Sequence, residues 1–292
     1  MKYIEKHPMI MIVVGVLGIS VSAIFVKFSQ APSAVTAAWR LLWTVLLMTP
    51  AVLRRQVRRE MAQVNRKILL LSLLSGLFLA AHFAVWFESL RHTSVASSTT
   101  IVCTEVIWVS LGYCLFLKGK LTLRAIAAIA VTLVGSVLIA MADSASGGGH
   151  LYGDILSLIA AIAVAVYTLL GRVIRSSTST TVYTYLCYSA CAAALLLVCL
   201  VQKSGLFAYG ISGILVGLML AIFSTILGHS IFSWCLKYFS PSFVSASKLC
   251  EPVAAAIMAG ILFGEIPVPL QLAGGALILG GVFYYSRIES EK

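Results

Sequence analysis

The sequence predicts an all-α integral membrane protein with ten transmembrane helices, arranged as two inverted five-helix repeats (5+5). Composition, loop charges and an internal repeat support this prediction. Of the 292 residues, 60% are apolar and 11% are charged, whereas a soluble domain carries about 25% charged residues. The mean hydropathy of +1.01 also indicates that lipid, and not water, surrounds most of the chain.

Ten apolar stretches are long enough to cross a bilayer, which requires roughly 20 mostly apolar residues per helix. They cover residues 9–28, 33–53, 68–88, 95–117, 121–141, 155–171, 180–202, 211–235, 241–263 and 268–286. Lys2 and Lys6 precede the first stretch as they would in a signal peptide, but that stretch is too long for one and nine more follow. We therefore interpret it as the first transmembrane helix.

The basic residues are concentrated in alternate loops, as the positive-inside rule describes. Sixteen of the 21 Lys and Arg residues lie in loops and ends on the side of the N-terminus, and three lie on the opposite side. This bias predicts a multi-pass protein of the plasma (inner) membrane with both termini in the cytoplasm. Since the net charge of +11 is spread over helix ends, it indicates membrane lipid as a partner and argues against nucleic acid.

A shift of 146 residues overlays the first half of the chain on the second without gaps from the third helix to the fifth. The matching pairs include Leu90 and Leu236, Arg91 and Lys237, Ser94 and Ser240, Glu105 and Glu251, and Gly135 and Gly281. We assign residues 1–143 to the first repeat, 144–150 to a linker and 151–292 to the second repeat. Five spans per repeat invert the second repeat, an architecture common in secondary transporters.

Several motifs resemble a known family. The run Glu251-Pro252-Val253-Ala254-Ala255-Ala256, then Gly264-Glu265 and the glycine-rich Gly274–Gly281, is similar to the second half of EamA-type proteins of the drug/metabolite transporter (DMT) superfamily. Ala31-Pro32 leading to Trp39-Arg40 resembles the second helix of that family, and His82–Glu105 resembles its third and fourth helices.

The resemblance implies ten helices around a central cavity lined by helices 1–4 and 6–9, with helices 5 and 10 at the periphery. The two halves depart from each other, because Glu105-Val106 stands where the second repeat has Glu251-Pro252. Lys118-Gly119 also stands where the family often has Gly-Glu. We therefore expect the halves to differ in function, and the family, which transports many unrelated solutes, names no substrate.

Carboxylates near the middle of a span are the first candidates for a solute site, because a charged residue at mid-helix costs roughly 2.5–3.5 kcal/mol. Glu105 and Glu251 lie at equivalent depths in helices four and nine, and Ser98 shares a helix face with Glu105. Lys248, one turn before Glu251, can neutralise that glutamate or move between the two carboxylates. Each glutamate can bind a solute or can hold helices together, and both interpretations stay open.

Arg40 lies too deep in helix two for its charge to reach the membrane surface easily. It can bind a carboxylate or phosphate, or it can pair with Glu105 or Glu88. Trp108, one turn beyond Glu105, is a candidate for contact with an organic solute.

Two histidines lie in the outer half of helix three and the cytoplasmic half of helix eight. His82 is one turn from Trp86, and His229 is one position from the repeat equivalent of His82. Such histidines can relay protons, or they can bond to a helix backbone or hydroxyl group.

The seven cysteines lie in apolar spans and lack the C-x-x-C spacing of a metal or redox site. We therefore expect packing roles for them, no bound metal and no cofactor. The glycines of helix ten permit close packing within the chain or between two chains, so a monomer and a homodimer both remain open.

These features favour a secondary transporter that moves a small organic solute by alternating access, and not an enzyme. The passive channel or facilitator is the alternative. If Lys248 neutralises Glu251, then Glu105 and Arg40 stay free. This combination suits an amino-acid-like or amine-like solute, with its ammonium on Glu105 and its carboxylate on Arg40. The histidines raise the hypothesis of proton coupling.

The topology can be tested with single cysteines and a membrane-impermeant thiol reagent. We expect positions near 60, 120, 174 and 290 to react from the cytoplasmic side, and positions near 148 and 205 to react from outside. Labelling of position 148 from the cytoplasm alone would contradict the inverted repeat.

Overall fold

The computed structural model describes residues 7–93, 95–143, 151–254, 257 and 268–291, and these residues form helices and connecting turns without a β-strand. The linker predicted at 144–150 lies outside them. The helices are α1 (Pro8–Ser20 and Ser22–Phe28), α2 (Ser33–Val52), α3 (Arg66–His92), α4 (Val95–Cys103 and Glu105–Phe116), α5 (Leu123–Asp143), α6 (Leu151–Arg175), α7 (Thr180–Val201), α8 (Gly210–Met219, Leu220–His229 and Ser230–Cys235), α9 (Pro241–Lys248) and α10 (Pro269–Ser290). A short, exposed helix, Arg55–Ala62, connects α2 to α3.

Within the described residues, seven helices are long and apolar enough to cross a bilayer: α1, α2, α3, α4, α6, α7 and α8. The outer surface exposes many large apolar side chains, whereas the interior buries Arg40, Glu105 and Lys248. This distribution of apolar and charged side chains is the reverse of that in a soluble protein, and a lipid environment favours it. The all-helical, multi-pass membrane fold is confirmed, and the count of ten spans remains a prediction.

Two helices extend well beyond the predicted spans 68–88 and 155–171, since α3 covers Arg66–His92 and α6 covers Leu151–Arg175. In α6 the residues beyond position 171 include two arginines that bond to the backbone of another helix. Arg172 donates to the carbonyl of Leu236, and Arg175 donates through Nε to the carbonyl of Ser233 at 3.1 Å. The two guanidinium groups therefore bind the last carbonyls of α8.

The two halves pack as related units. Helix α3 lies along α6 as α1 lies along α8, and α2 packs on α7, α4 on α9, and α5 on α10. The contacts α2–α7, α4–α9 and α5–α10 each join a helix to its own repeat equivalent. The contacts α3–α6 and α1–α8 are equivalent to each other, because the repeat relates α3 to α8 and α1 to α6. This pattern is that of two repeats related by a pseudo-twofold axis between them.

The packing of α5 against α10 shows this symmetry at the level of single atoms. A Cβ added to Gly135 would lie 2.6 Å from the carbonyl oxygen of Gly274, and one added to Gly281 would lie 3.1 Å from that of Ala128. Residues 135 and 281, and likewise 128 and 274, are 146 positions apart. The repeat detected in the sequence therefore generates two equivalent backbone contacts, and these glycines serve a contact within the chain.

We expect Gly274→Ala to lower the thermal unfolding midpoint of the purified protein, because its new methyl group would lie 2.7 Å from the carbonyl oxygen of Gly135 and would push α5 away from α10. The matched control is Gly280→Ala on the same helix, where a Cβ would meet no described atom within 4 Å. Equal midpoints for the two variants would contradict the close contact.

Candidate functional site

A cavity lies where α1, α3 and α4 of the first repeat meet α6, α8 and α9 of the second. Its space for the centres of water molecules is about 40 Å³, enough for about three waters. The lining residues are Ile19, Ser22, His82, Trp86, Thr99, Val102, Glu105, Val164, His229, Lys248 and Glu251. Six of the nine predicted site residues are therefore brought together at the interface between the repeats.

An ion pair joins the two repeats at this cavity. Lys248 Nζ on α9 lies 2.8 Å from Glu105 Oε1 on α4, and the two side chains are 9% and 4% exposed. The ring of Phe232 in α8 lies 5.5 Å from the same ammonium group. Because each charge alone would lose its hydration on burial, the pairing is what allows both to lie in the protein interior.

Lys248 forms its salt bridge with Glu105 and not with Glu251, the partner considered on its own helix. Helix α9 ends at Lys248, a turn follows at residues 249–250, and the chain becomes helical again at 251–254. Lys248 and Glu251 both line the cavity, but the ammonium group of Lys248 is bonded to Glu105 across the interface between the repeats. Glu251 forms no ion pair or hydrogen bond with another described residue.

The different environments of the two glutamates follow from one sequence difference. The repeat shift places Lys248 on Val102, and Val102 lines the same cavity. Where Glu105 has Lys248 as its partner, the equivalent position for Glu251 is thus occupied by the apolar side chain of Val102. The two halves are chemically unequal at the centre of the molecule.

Both repeats interrupt a helix directly before the glutamate. Thr104 separates the two parts of α4, and Cys250, its repeat equivalent, lies in the turn of α9. Pro252 explains the second interruption, because proline lacks the backbone N–H that the helix requires. Interrupted helices are frequent at the solute sites of transporters.

Arg40 is completely buried but is not paired with Glu105 or Glu88, as had been considered from the sequence. Its Nε donates to Thr225 Oγ1 at 2.7 Å and its Nη1 donates to Ser22 Oγ at 3.3 Å. Glu88 instead contacts His92. The Nη2 group of Arg40 has no hydrogen-bond partner among the described residues, and Ser22 connects the guanidinium group to the cavity wall.

The partner of Arg40 lies in an unusual part of α8. Leu220–His229 is a π-helix, in which Thr225 Oγ1 donates to the carbonyl of Leu220, five residues earlier. Short π-helical segments are frequent at functional sites. This segment contributes both Thr225 beside Arg40 and His229 in the cavity wall, a feature that apolar periodicity could not reveal.

The aromatic side of the cavity is formed by α3 and α8. His82 Nδ1 donates to the carbonyl of Ala160 at 3.0 Å, and Trp86 stacks on the His82 ring at 5.7 Å with an interplanar angle of 15°. The ring of His229 lies 6.3 Å from that of His82. His82 therefore has the backbone bond that was one of its two interpretations, and it also lines the cavity.

Ser98 and Trp108 do not line the cavity. Ser98 Oγ contacts Ser89 Oγ at 2.7 Å and Ser157 Oγ at 3.1 Å, so it connects α3, α4 and α6. The tight turn before Glu105 accounts for the position of Ser98, which a continuous helix would place on the face of Glu105.

The N–H of Thr104 bonds to the carbonyl of Ile101, as in a 3₁₀-helix, where residues three apart lie on one line. Val102 and Glu105 consequently share the cavity face, together with Thr99. Thr99 was missed in the sequence because an uninterrupted helix was assumed, which placed Ser98 on the face of Glu105. Ser22, on α1, was not among the candidates.

An apolar exterior, two related halves and a polar interior at their interface define the class of polytopic transport proteins. The chain belongs to the EamA-like transporter family, whose sequence profile matches residues 7–141 and 151–287. This match also places it in the DMT superfamily. The family consists of transporters of small solutes.

A crystal structure of another protein superimposes with a TM-score of 0.79, covering 98% of this chain and 98% of that chain at 17% sequence identity. At this identity the likeness shows a shared fold and nothing about the solute. None of the curated protein sequences matches this chain.

The ion pair makes a prediction for stability. Glu105→Gln should lower the thermal unfolding midpoint by several degrees, because removing one partner of a buried pair costs about 3–5 kcal/mol. Glu105→Gln combined with Lys248→Met should regain most of the loss, since no unpaired charge is left. Strictly additive losses in the two single variants and the double variant would show that the two groups are not coupled.

Proposed function

We propose that the protein is a secondary carrier that moves a small organic solute by alternating access, with its solute site in the cavity between the repeats. The observation that supports this most directly is the position of the cavity. It lies between the two repeats, where carriers built from inverted repeats bind their solutes, and it gathers Glu105, Glu251, Lys248, His82 and His229.

Two buried groups in the wall favour a polar ligand. Trp86 and Thr99 line the cavity, and the Nε1 of Trp86 and the Oγ1 of Thr99 have no hydrogen-bond partner among the described residues. Their residues are 4% and 6% exposed. Since buried polar groups are nearly always hydrogen-bonded in folded proteins, a solute with donor and acceptor atoms is a natural partner for both.

The charges around the cavity favour an amino-acid-like or amine-like solute. The interior has two carboxylates, Glu105 and Glu251, and two cations, Arg40 and Lys248. A solute ammonium group suits the carboxylates, and the aromatic wall suits a cation or an apolar side chain. The unpartnered Nη2 of Arg40 is suited to a carboxylate, so the full set matches a zwitterion.

A carrier fits the geometry better than a channel does. The cavity has room for about three waters and is too small for passage of an organic solute in this conformation. Transport therefore requires rearrangement of the helices around it. Proton coupling through His82, His229 or Glu251 is part of the proposal, because all three line the cavity.

The test is counterflow in proteoliposomes that contain the purified protein. We expect saturable uptake of a radiolabelled amine or amino acid, and transient accumulation above equilibrium when the same unlabelled compound fills the lumen. A channel would give neither saturation nor accumulation. Dependence of the uptake on an imposed pH gradient would test the proton coupling.

Arg40→Met separates the two solute classes within the same assay. We expect this variant to lose at least tenfold more uptake of a zwitterion than of the corresponding decarboxylated amine, a difference of about 1.4 kcal/mol or more. The ratio of the two uptakes corrects for differences in folding. Equal losses would show that Arg40 does not bind a carboxylate.

A further inference from the structure

The Lys248 ammonium group occupies a position that has the chemistry of a ligand site. A carboxylate oxygen of Glu105 lies 2.8 Å from it, the face of Phe232 lies 5.5 Å from it, and both charged side chains form part of the cavity wall. A carboxylate together with an aromatic face is a usual arrangement for recognising an ammonium ligand. Lys248 therefore binds where a solute ammonium would bind.

A second acceptor for Lys248 lies on the other side of the turn in α9. Glu251 lines the same cavity, interacts electrostatically with Lys248, and has no ion-pair partner among the described residues. The long and flexible lysine side chain allows its charge to change position without movement of the backbone. On the opposite side, Val102 offers no charge that could compete for Glu251.

We propose that Lys248 is a resident competitor for the solute's ammonium group. In the empty carrier its charge neutralises Glu105, and a solute with a primary ammonium group takes Glu105 while Lys248 moves to Glu251. No bond is made or broken, and each carboxylate has one cation when the solute is bound. This inference rests on the proposed carrier function and specifies its solute class as primary ammonium compounds.

The exchange explains how the empty carrier can return. Because Lys248 replaces the solute cation on Glu105, the unloaded protein has no unpaired charge at this position while it changes conformation. Without Lys248, Glu105 would be an unpaired carboxylate while the empty carrier returns. During exchange, a solute cation is bound to Glu105 in both directions, so exchange would be unaffected. Loss of Lys248 should therefore reduce net transport more than exchange.

The test uses Lys248→Met, which removes the competitor but keeps the volume of the side chain, and butylammonium, which resembles the lysine side chain. We expect the Kd for butylammonium, from shifts of the thermal unfolding midpoint, to be at least tenfold lower than in the wild type. We expect 1-butanol to bind equally weakly to both proteins. In proteoliposomes, the ratio of net amine transport to exchange should fall at least tenfold.

Two further variants make the result specific. Lys237→Met removes an exposed lysine in the turn after α8 and should leave both the Kd and the transport ratio unchanged. Glu105→Gln with Lys248→Met leaves no charge at the proposed ammonium position, so it should bind butylammonium at least tenfold more weakly than Lys248→Met. If Lys248→Met does not fold, Lys248→Gln takes its place, and an affinity for butylammonium equal to that of the wild type would overturn the inference.

The outcomes also distinguish this inference from the carrier function. Absence of transport by the wild type for all amines and zwitterions would contradict the carrier proposal. A wild type that transports amines, together with a Lys248→Met variant of unchanged affinity and unchanged transport ratio, would overturn the role of Lys248 alone.

Discussion

The buried ion pair between Glu105 and Lys248 is the interaction on which the arrangement of the interior depends. Two charges in a lipid-surrounded protein need each other, because either one alone would lose its hydration without compensation. Their contact holds α4 of the first repeat against α9 of the second, and the glycine contacts between α5 and α10 hold the periphery. The remaining wall residues of the cavity are positioned by the helices thus fixed.

Much of this organisation could be predicted from the sequence, because it depends on composition and on local spacing. Apolar runs gave the positions of the helices, and the 146-residue shift, detected from Glu105 and Glu251 among others, predicted related halves. The same shift relates the contacts of Gly135 and Gly281 in the structure. Mid-span ionisable residues are costly, which is why they were expected to gather at one place, and most of them line one cavity in the structure.

The errors arose where one helix contacts another or loses its regular period. The partner of Lys248 is 143 residues away in the chain, so the i, i+3 spacing from Lys248 to Glu251 could not reveal it. The tight turn at Thr104 changed the face of α4, which moved Ser98 out of the cavity. The π-helix Leu220–His229 likewise departs from the regular period, and apolar periodicity did not reveal it.

The valine at position 102 has a consequence for energetics. In a transporter built from two identical inverted halves, exchange of their conformations would return the same molecule facing the other way, and both orientations would be equally populated without a gradient. Here the exchange would bring Glu251 to the position of the paired glutamate with no lysine opposite it. For the proposed carrier, the two orientations therefore differ in free energy, and one side is the preferred resting side even in a symmetric membrane.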